Sequence, residues 1–337
     1  MPKSRKLPPH GARAKPMQRA EMQIMSLMKH VLATTLLWAA TVATAEQRHP
    51  FADGRALAPL EMFQECADCP EMIVLPMGSF TMGAPLKESA EFFQRVFNPG
   101  PGEPVGWLRE GPEHEVVIDI PIAMGRNEVT RAEFLACVAD GGCAHTPDPR
   151  VLRLKGAVYA DDPRSPVIDV SYFDMLEYVA WLNLITGTDA YRLPTEPEWE
   201  YAARDGADTK FGQGDSLTQE QANFSVLNSY GDRFLFNPYN DFMPVPVDRL
   251  DAANAWGLRH MAGNVSEITM TCWSNRQLDL LTSSAYLTEA QQAGSCRRVA
   301  KGGAFNGTDH YLRPAYRGGR SEIYGSYTVG FRIVREM

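Results

Sequence analysis

The alternation of apolar and polar positions divides this chain into short elements separated by long unpatterned stretches. Met72 to Met82, MIVLPMGSFTM, is rich in strand formers, and Gly78-Ser79 reads as a turn between two short strands. His114 to Ile122 alternates with period two and predicts another strand. Thr130 and Glu133 form a capping box. Phe134 and Val138 line the helix that follows, and Asp140-Gly141-Gly142 ends it. Ser171 caps a helix running to about Thr186, with Gly187 as its stop. Met175, Val179, Leu182 and Ile185 recur there at helical spacing, the mark of a core helix.

Tyr191 to Gly206, YRLPTEPEWEYAARDG, has the strongest local grammar. Thr195 and Glu198 make a second capping box, and Pro197 falls in the first turn, where its missing N–H costs little. Glu196, Glu198 and Glu200 crowd the end of the helix where the dipole favours negative charge. Trp199, Ala202 and Ala203 share a face, and Gly206 can stop the helix.

The remaining stretches predict loop. Residues 46–69 read as an irregular start to the mature protein. Residues 86–111 form a long loop containing NPGPGEP, partly packed by Phe92, Phe93, Phe97 and Trp107. Residues 144–166 are loop, where Asp161 and Asp162 read as solvated charge rather than a cation site. Residues 207–256 have almost no periodicity. Two or three helices, short strands and much ordered loop imply an irregular α+β architecture. Internal repeats, low-complexity tracts, GxGxxG and P-loop motifs are absent from the sequence.

Composition changes this picture in two places. The first 45 residues hold seven Lys or Arg and one acid, whereas the remainder carries 26 basic against 40 acidic side chains. So acidic a body excludes general nucleic-acid binding. Lys29-His30, the apolar run Val31 to Val42 and Ala43-Thr44-Ala45 read as a secretory signal peptide. Its natural start is Met28, with residues 1–27 an over-extended beginning or part of a longer signal region. The apolar run is short for a membrane span. The expected location is therefore periplasmic or secreted, without a stable span after cleavage; a retained anchor is the lesser reading.

The second place is cysteine. All six cysteines follow the leader, and an even number in an oxidising compartment implies disulfides. Spacing suggests Cys66 with Cys69, Cys137 with Cys143, and Cys272 with Cys296. Cys66-Ala-Asp-Cys69 also has redox-active and half-zinc-site readings. Pro70 and a strand-like segment follow it, rather than a helix that lowers a thiol pKa, and no second CxxC completes a zinc site.

Three runs carry a family resemblance: RLPTEPEWEYAARDG, GLRHMAGNVSEI (Gly257 to Ile268), and KGGAFNGTDHYLRPAYRGGR with VGFRIVR (Lys301 to Arg335). In this order they resemble the formylglycine-generating enzyme, or sulfatase-modifying factor, family, over a domain read as residues 70–337. The resemblance implies a C-type-lectin-like fold of low secondary-structure content. It also implies calcium, held by the carbonyls of Gly263 and Val265 with the Glu267 carboxylate, although His260 stands where the family has Asn or Asp and is a poor calcium ligand. A second implied site uses Asn223, the carbonyl of Phe224 and an acid near Asp241, with Asp232 as a rival.

Bona fide members oxidise a sulfatase cysteine with oxygen and copper(I) held by two cysteines. Here Gly307 and Leu312 occupy those positions, Ala304 replaces the Ser of the GGS triplet, and Ser266 replaces the usual Trp of NVWEW. A soft ion selects thiolates, so copper is not expected, and sulfatase activation is the disfavoured reading. Ser266, Asn306, His310 and Arg317 are weak catalytic candidates. Arg313, Arg317, Arg320 and Arg332 suit either anion recognition or structural pairing.

Two other branches of the family bear on function. The ergothioneine-type sulfoxide synthases need histidines from a helical partner domain that is missing here. A periplasmic branch that matures a siderophore chromophore shares the leader and the lost cysteines. The expectation is an exported protein of altered oxidative chemistry acting on a peptide or peptide-derived metabolite. A non-catalytic lectin-like binding module for a protein or glycan is the alternative.

Overall fold

The protein is described by a computed structural model over residues 48–50, 54–97, 109–153, 156–227, 234–235 and 242–337. The proposed leader, NPGPGEP, Trp107, Asp232, Asp241 and the side chains of Phe92, Phe93 and Phe97 lie outside the described residues. In chain order the main elements are β1 (Met62–Phe63), β2 (Met72–Val74), β3 (Gly78–Met82), α1 (Leu86–Phe97), β4 (His114–Ile118) and β5 (Ile122–Gly125). Next come α2 (Arg131–Ala139), α3 (Tyr172–Thr186), β6 (Tyr191–Arg192), α4 (Glu196–Arg204), β7 (Ser266–Cys272) and α5 (Ser283–Gln292). The chain closes with β8 (Arg298–Lys301), β9 (Gly318–Arg320), β10 (Val329–Gly330) and β11 (Val334–Glu336).

Two sheets frame the molecule. The first has the order β6-β11-β5-β2-β1, with every neighbour antiparallel. The second runs β9-β8-β7-β10, in which β7 and β10 are parallel. Helices α2 and α3 bury Phe134, Met175, Tyr178 and Leu182 against Met72, Val74 and Phe331. The capping boxes at Thr130–Glu133 and Ser171–Asp174 start these helices, and Gly187, in the left-handed region at φ 68°, ends α3. The short α4 packs against β3, β7, β8 and α5. Its Trp199, Ala202 and Ala203 join Ile73, Leu258 and Met261 in a second core.

The three disulfides pair as the spacing suggested: Cys66–Cys69, Cys137–Cys143 and Cys272–Cys296. No helix among the described residues is long and apolar enough to cross a membrane.

Several local expectations are corrected. Gly78 and Ser79 begin β3 rather than forming a turn; Leu75 to Met77 make the connection. His114 to Ile122 is not one strand, since β4 ends at Ile118 and β5 begins at Ile122 in another sheet. Half of the expected loop 86–111 is the helix α1. A hairpin, Arg150–Arg153 with Gly156–Tyr159, lies within the expected loop 144–166. Leu57, Phe63 and Cys69 are buried in the main core, so residues 54–69 are part of the domain rather than an irregular lead. Ile185 is 39% exposed because the apolar stripe of α3 outruns the surface it covers. Asp205, at φ 48°, takes the left-handed cap of α4, with Gly206 following it. The described residues hold five α-helices, more than the apolar periodicity indicated. The reason is that α5 is mostly polar and that α1 runs into the Pro- and Gly-rich NPGPGEP.

Candidate functional site

The three motif runs meet around α4, and buried charge holds them together. Glu196, Glu198 and Glu200 are all fully buried. They are not a solvent-facing acidic start to the helix, because each faces at least one cation; Glu200 also pairs with Arg204 at 2.8 Å. A helix turns about 100° per residue, so Glu196 and Glu200 share one face and Glu198 faces away. Arg317 donates to both Glu196 oxygens, through Nη2 at 2.8 Å and through Nε. Lys301 Nζ lies 3.0 Å from Glu200 and 3.6 Å from Glu196, with the Trp199 ring 5.9 Å away. Arg192 forms a two-pronged pair with Glu198 at 2.7 and 2.8 Å. Burial works to raise Glu198 and Glu200, but their cations outweigh it and hold both carboxyls below the usual range.

The second motif enters through Trp199, whose Nε1 donates to Glu267 Oε2 at 2.6 Å. Arg332, from the third motif, donates to both Glu267 oxygens at 2.5 and 2.6 Å. Its remaining N–H groups reach the carbonyls of Gly125 and Arg259, each at 2.8 Å. Glu128 stands behind this pair and accepts from Asn264 Nδ2 at 3.1 Å and Val265 N at 3.3 Å. Burial, then the Glu267 charge, push the Glu128 carboxyl well above the usual range. His260 is 1% exposed at φ 54°, and neither ring nitrogen has a hydrogen-bond partner. Burial, then the Arg259 and Arg332 charges, lower its pKa to about 3, so the ring is neutral.

Calcium does not fit the Gly263–Val265–Glu267 set in this arrangement. Both Glu267 oxygens face a guanidinium, and a divalent ion there would stand against Arg332 in a sealed interior. Among the described residues no group of three or more His, Cys, Asp or Glu is placed to hold a metal. Gly263 serves packing instead: its φ is 82°, and a Cβ would lie 2.3 Å from the Asn223 carbonyl. Asn223 Nδ2 donates to Asn264 and to the Met243 carbonyl, each at 3.0 Å, tying the loops together. The Phe224 carbonyl accepts from Gln219 Nε2 at 3.2 Å.

All six cysteines are in disulfides, so no thiolate stands at positions 307 and 312. Leu312 is fully buried with Phe211, Ala222, Phe224 and Ala262. Of the catalytic candidates, Arg317 is taken up by Glu196, and Ser266 is a buried residue at the start of β7. Asn306 is half-buried, and His310 is buried in the short 3-10 turn Asp309–Leu312. Arg313 pairs with Glu110 and Glu88 at 2.6 and 2.8 Å, so the structural reading of Arg313, Arg317 and Arg332 holds. Arg320 is exposed.

The accessible feature beside this core is a cleft of about 380 Å³ in front of α4. Phe80 and Tyr201, with ring centroids 5.4 Å apart, lie on its wall, with Arg204, Lys210 and Glu113 among the charged groups. Ala315, from the third motif, lines it as well. A second cavity of about 480 Å³ lies beyond Glu113, which lines both, and includes Leu86, Pro112 and Arg276. Sequence reasoning missed Phe80, Glu113, Lys210, Arg276 and Glu128, because each belongs to a segment whose pattern is unremarkable until the fold brings it to this site; Tyr201, Arg204 and Ala315 lie in the motif runs but carried no signal of a cleft.

Comparison with known proteins agrees with this geometry. The sulfatase-modifying factor enzyme 1-like domain matches residues 59–337. A formylglycine-generating enzyme of Mycobacterium tuberculosis is 31% identical over 191 residues, 52% of this chain and 59% of that protein. A hercynine oxygenase of Mycolicibacterium thermoresistibile is 29% identical over 265 residues, 68% of this chain and 54% of that one. The chain thus spans little more than half the length of these curated relatives. The solved structure of PvdO from Pseudomonas aeruginosa superposes with a TM-score of 0.64 at 30% identity, covering 84% of this chain and all of that one. With the motif runs interlocked around α4 and the family match extending from residue 59 to the last residue, the chain belongs to the sulfatase-modifying factor enzyme 1-like, or formylglycine-generating-enzyme-like, family.

Proposed function

We propose that this protein is an exported oxidative enzyme of altered chemistry, acting on a peptide or peptide-derived metabolite received in the cleft before α4. The observation that carries the reading is the combination at the lost copper site. Every cysteine is in a disulfide, and Leu312 fills an apolar cluster where the family places a thiolate. The scaffold around it is nevertheless kept, down to the buried ion pairs that join the three motifs. Oxidative relatives, a formylglycine-generating enzyme and a hercynine oxygenase, support the reaction class. Three disulfides support an oxidising compartment, the periplasm or the exterior.

The test uses the disulfide-intact protein, with oxygen uptake and product mass followed against a panel of peptides and metal content measured in parallel. Turnover without retained copper(I) is the expected result. A mass shift on a Cys-x-Pro-x-Arg peptide would restore sulfatase activation. A folded protein that consumes no oxygen with any peptide, yet binds some of them, would favour a lectin-like binding module. The neutralisation of every buried charge on α4 by a neighbouring side chain supports that second reading, since it leaves a scaffold rather than a reactive group.

A further inference from the structure

We infer that the second cavity, at the Arg276 end of the groove, selects an acidic residue in a peptide that carries an apolar neighbour. This rests on the peptide reading of the cleft and adds the specificity of one compartment.

Two observations meet there. The cavity of about 480 Å³ is walled by Ala84, Leu86, Gly111 and Pro112, which offer apolar side chains and backbone. Arg276 is exposed on this wall and has no carboxylate partner among the described residues. That sets it apart from Arg313, Arg317 and Arg332, each locked on a buried acid. A guanidinium with a free fork is suited to a carboxylate. The acid on the same wall, Glu113, lies at the junction with the first compartment, so an incoming carboxylate is repelled there and drawn to Arg276.

Gln277 stands behind this wall: its backbone N–H donates to the Gly111 carbonyl at 3.0 Å, while its side chain is 2% exposed and is not part of the lining. Apolar wall and free guanidinium together point to one ligand class: a short peptide segment with a carboxylate side chain beside an apolar one.

The experiment uses the full disulfide-bonded protein and two unlabelled probes, acetyl-Leu-Glu-Leu-amide and its Gln counterpart acetyl-Leu-Gln-Leu-amide, read by isothermal titration calorimetry. The acidic probe is expected to bind at least about tenfold tighter. Arg276→Ala should abolish that preference with the melting temperature unchanged, because the residue is exposed. Gln277→Leu, behind the wall, should leave the fold as stable or more so, since an unmatched polar group is removed, and leave the preference for the acidic probe in place. Equal binding of the two probes, no binding of either, or retention of the preference in Arg276→Ala overturns the inference. Oxygen uptake with peptides lacking an acid would leave the proposed reaction standing while this inference falls. Binding of the acidic probe without turnover would do the reverse.

Discussion

Trp199 donates its indole N–H to Glu267 across 68 residues of chain, at 2.6 Å and with both side chains fully buried. Glu267 is at the same time the counter-ion of Arg332. One carboxylate thus joins a residue from each of the three motif runs, and the domain is organised around it. Removing the indole donor, by Trp199→Phe, leaves one lone pair of a buried charge unmatched. The expected cost is about 1–3 kcal/mol in urea unfolding, beyond a small packing loss.

Lys301 faces Glu200 and Glu196 with no exposure on any of the three. Lys301→Met should cost about 1–3 kcal/mol, because Glu200 keeps Arg204 at 2.8 Å and Glu196 keeps Arg317, yet both lose a buried charged donor. The double variant Glu200→Gln/Lys301→Met should be more stable than Lys301→Met alone. A double-mutant cycle by urea titration measures the coupling, and simple additivity would show that the pair does not interact.

His260 titrates in the direction that weakens the fold in acid. Its folded pKa of about 3 lies below the ordinary histidine value of 6.5. The unfolded chain therefore binds the extra proton first. The stability contributed by the neutral ring is complete above about pH 6.5 and declines as pH falls towards about 3. His260→Asn should flatten the acid limb of stability against pH over that interval. Asparagine also tolerates the left-handed φ of 54° better than histidine does.

Chelation should leave the Gly263–Glu267 region unchanged. With Glu267 paired to Arg332, EDTA is expected not to shift the melting temperature, and added calcium not to raise it. A calcium-dependent shift that survives Glu267→Gln would place the ion at the Asn223–Phe224 loop instead.

The disulfides should differ in value. Cys272–Cys296 closes a separation of 24 residues and encloses α5, whereas Cys66–Cys69 spans 3. Loop-closure entropy gives about 3 kcal/mol for the longer link and about 2 kcal/mol or less for the shorter. Melting temperatures of the paired Cys→Ala variants should fall in that order.

Legibility in the sequence followed the range of the interaction. The starts of α2 and α3 were readable because a capping box acts over three residues, and all three disulfides were readable because near neighbours have few alternatives. The helix α1 is hidden in the sequence, since NPGPGEP beside it dominates the local composition. The role of Arg317 as the partner of Glu196 was only one of two open readings, because recognition and pairing need the same side chain. The groove was invisible, as Phe80, Lys210 and Arg276 share no pattern in the chain.

By itself, the order of amino acids determined where these helices begin, which family the chain joins and that Gly307 and Leu312 offer no thiol. Those are properties of neighbouring residues and of identities at given positions. Which cation answers each buried acid was decided by the folded arrangement. Glu198 finds Arg192 six residues away and Glu200 finds Arg204 one helical turn on, but Glu200 and Glu196 also reach Lys301 and Arg317 across 101 and 121 residues. Charge in a low-dielectric interior must be matched by whatever the chain returns to it, and that return is set by the sheets rather than by local pattern.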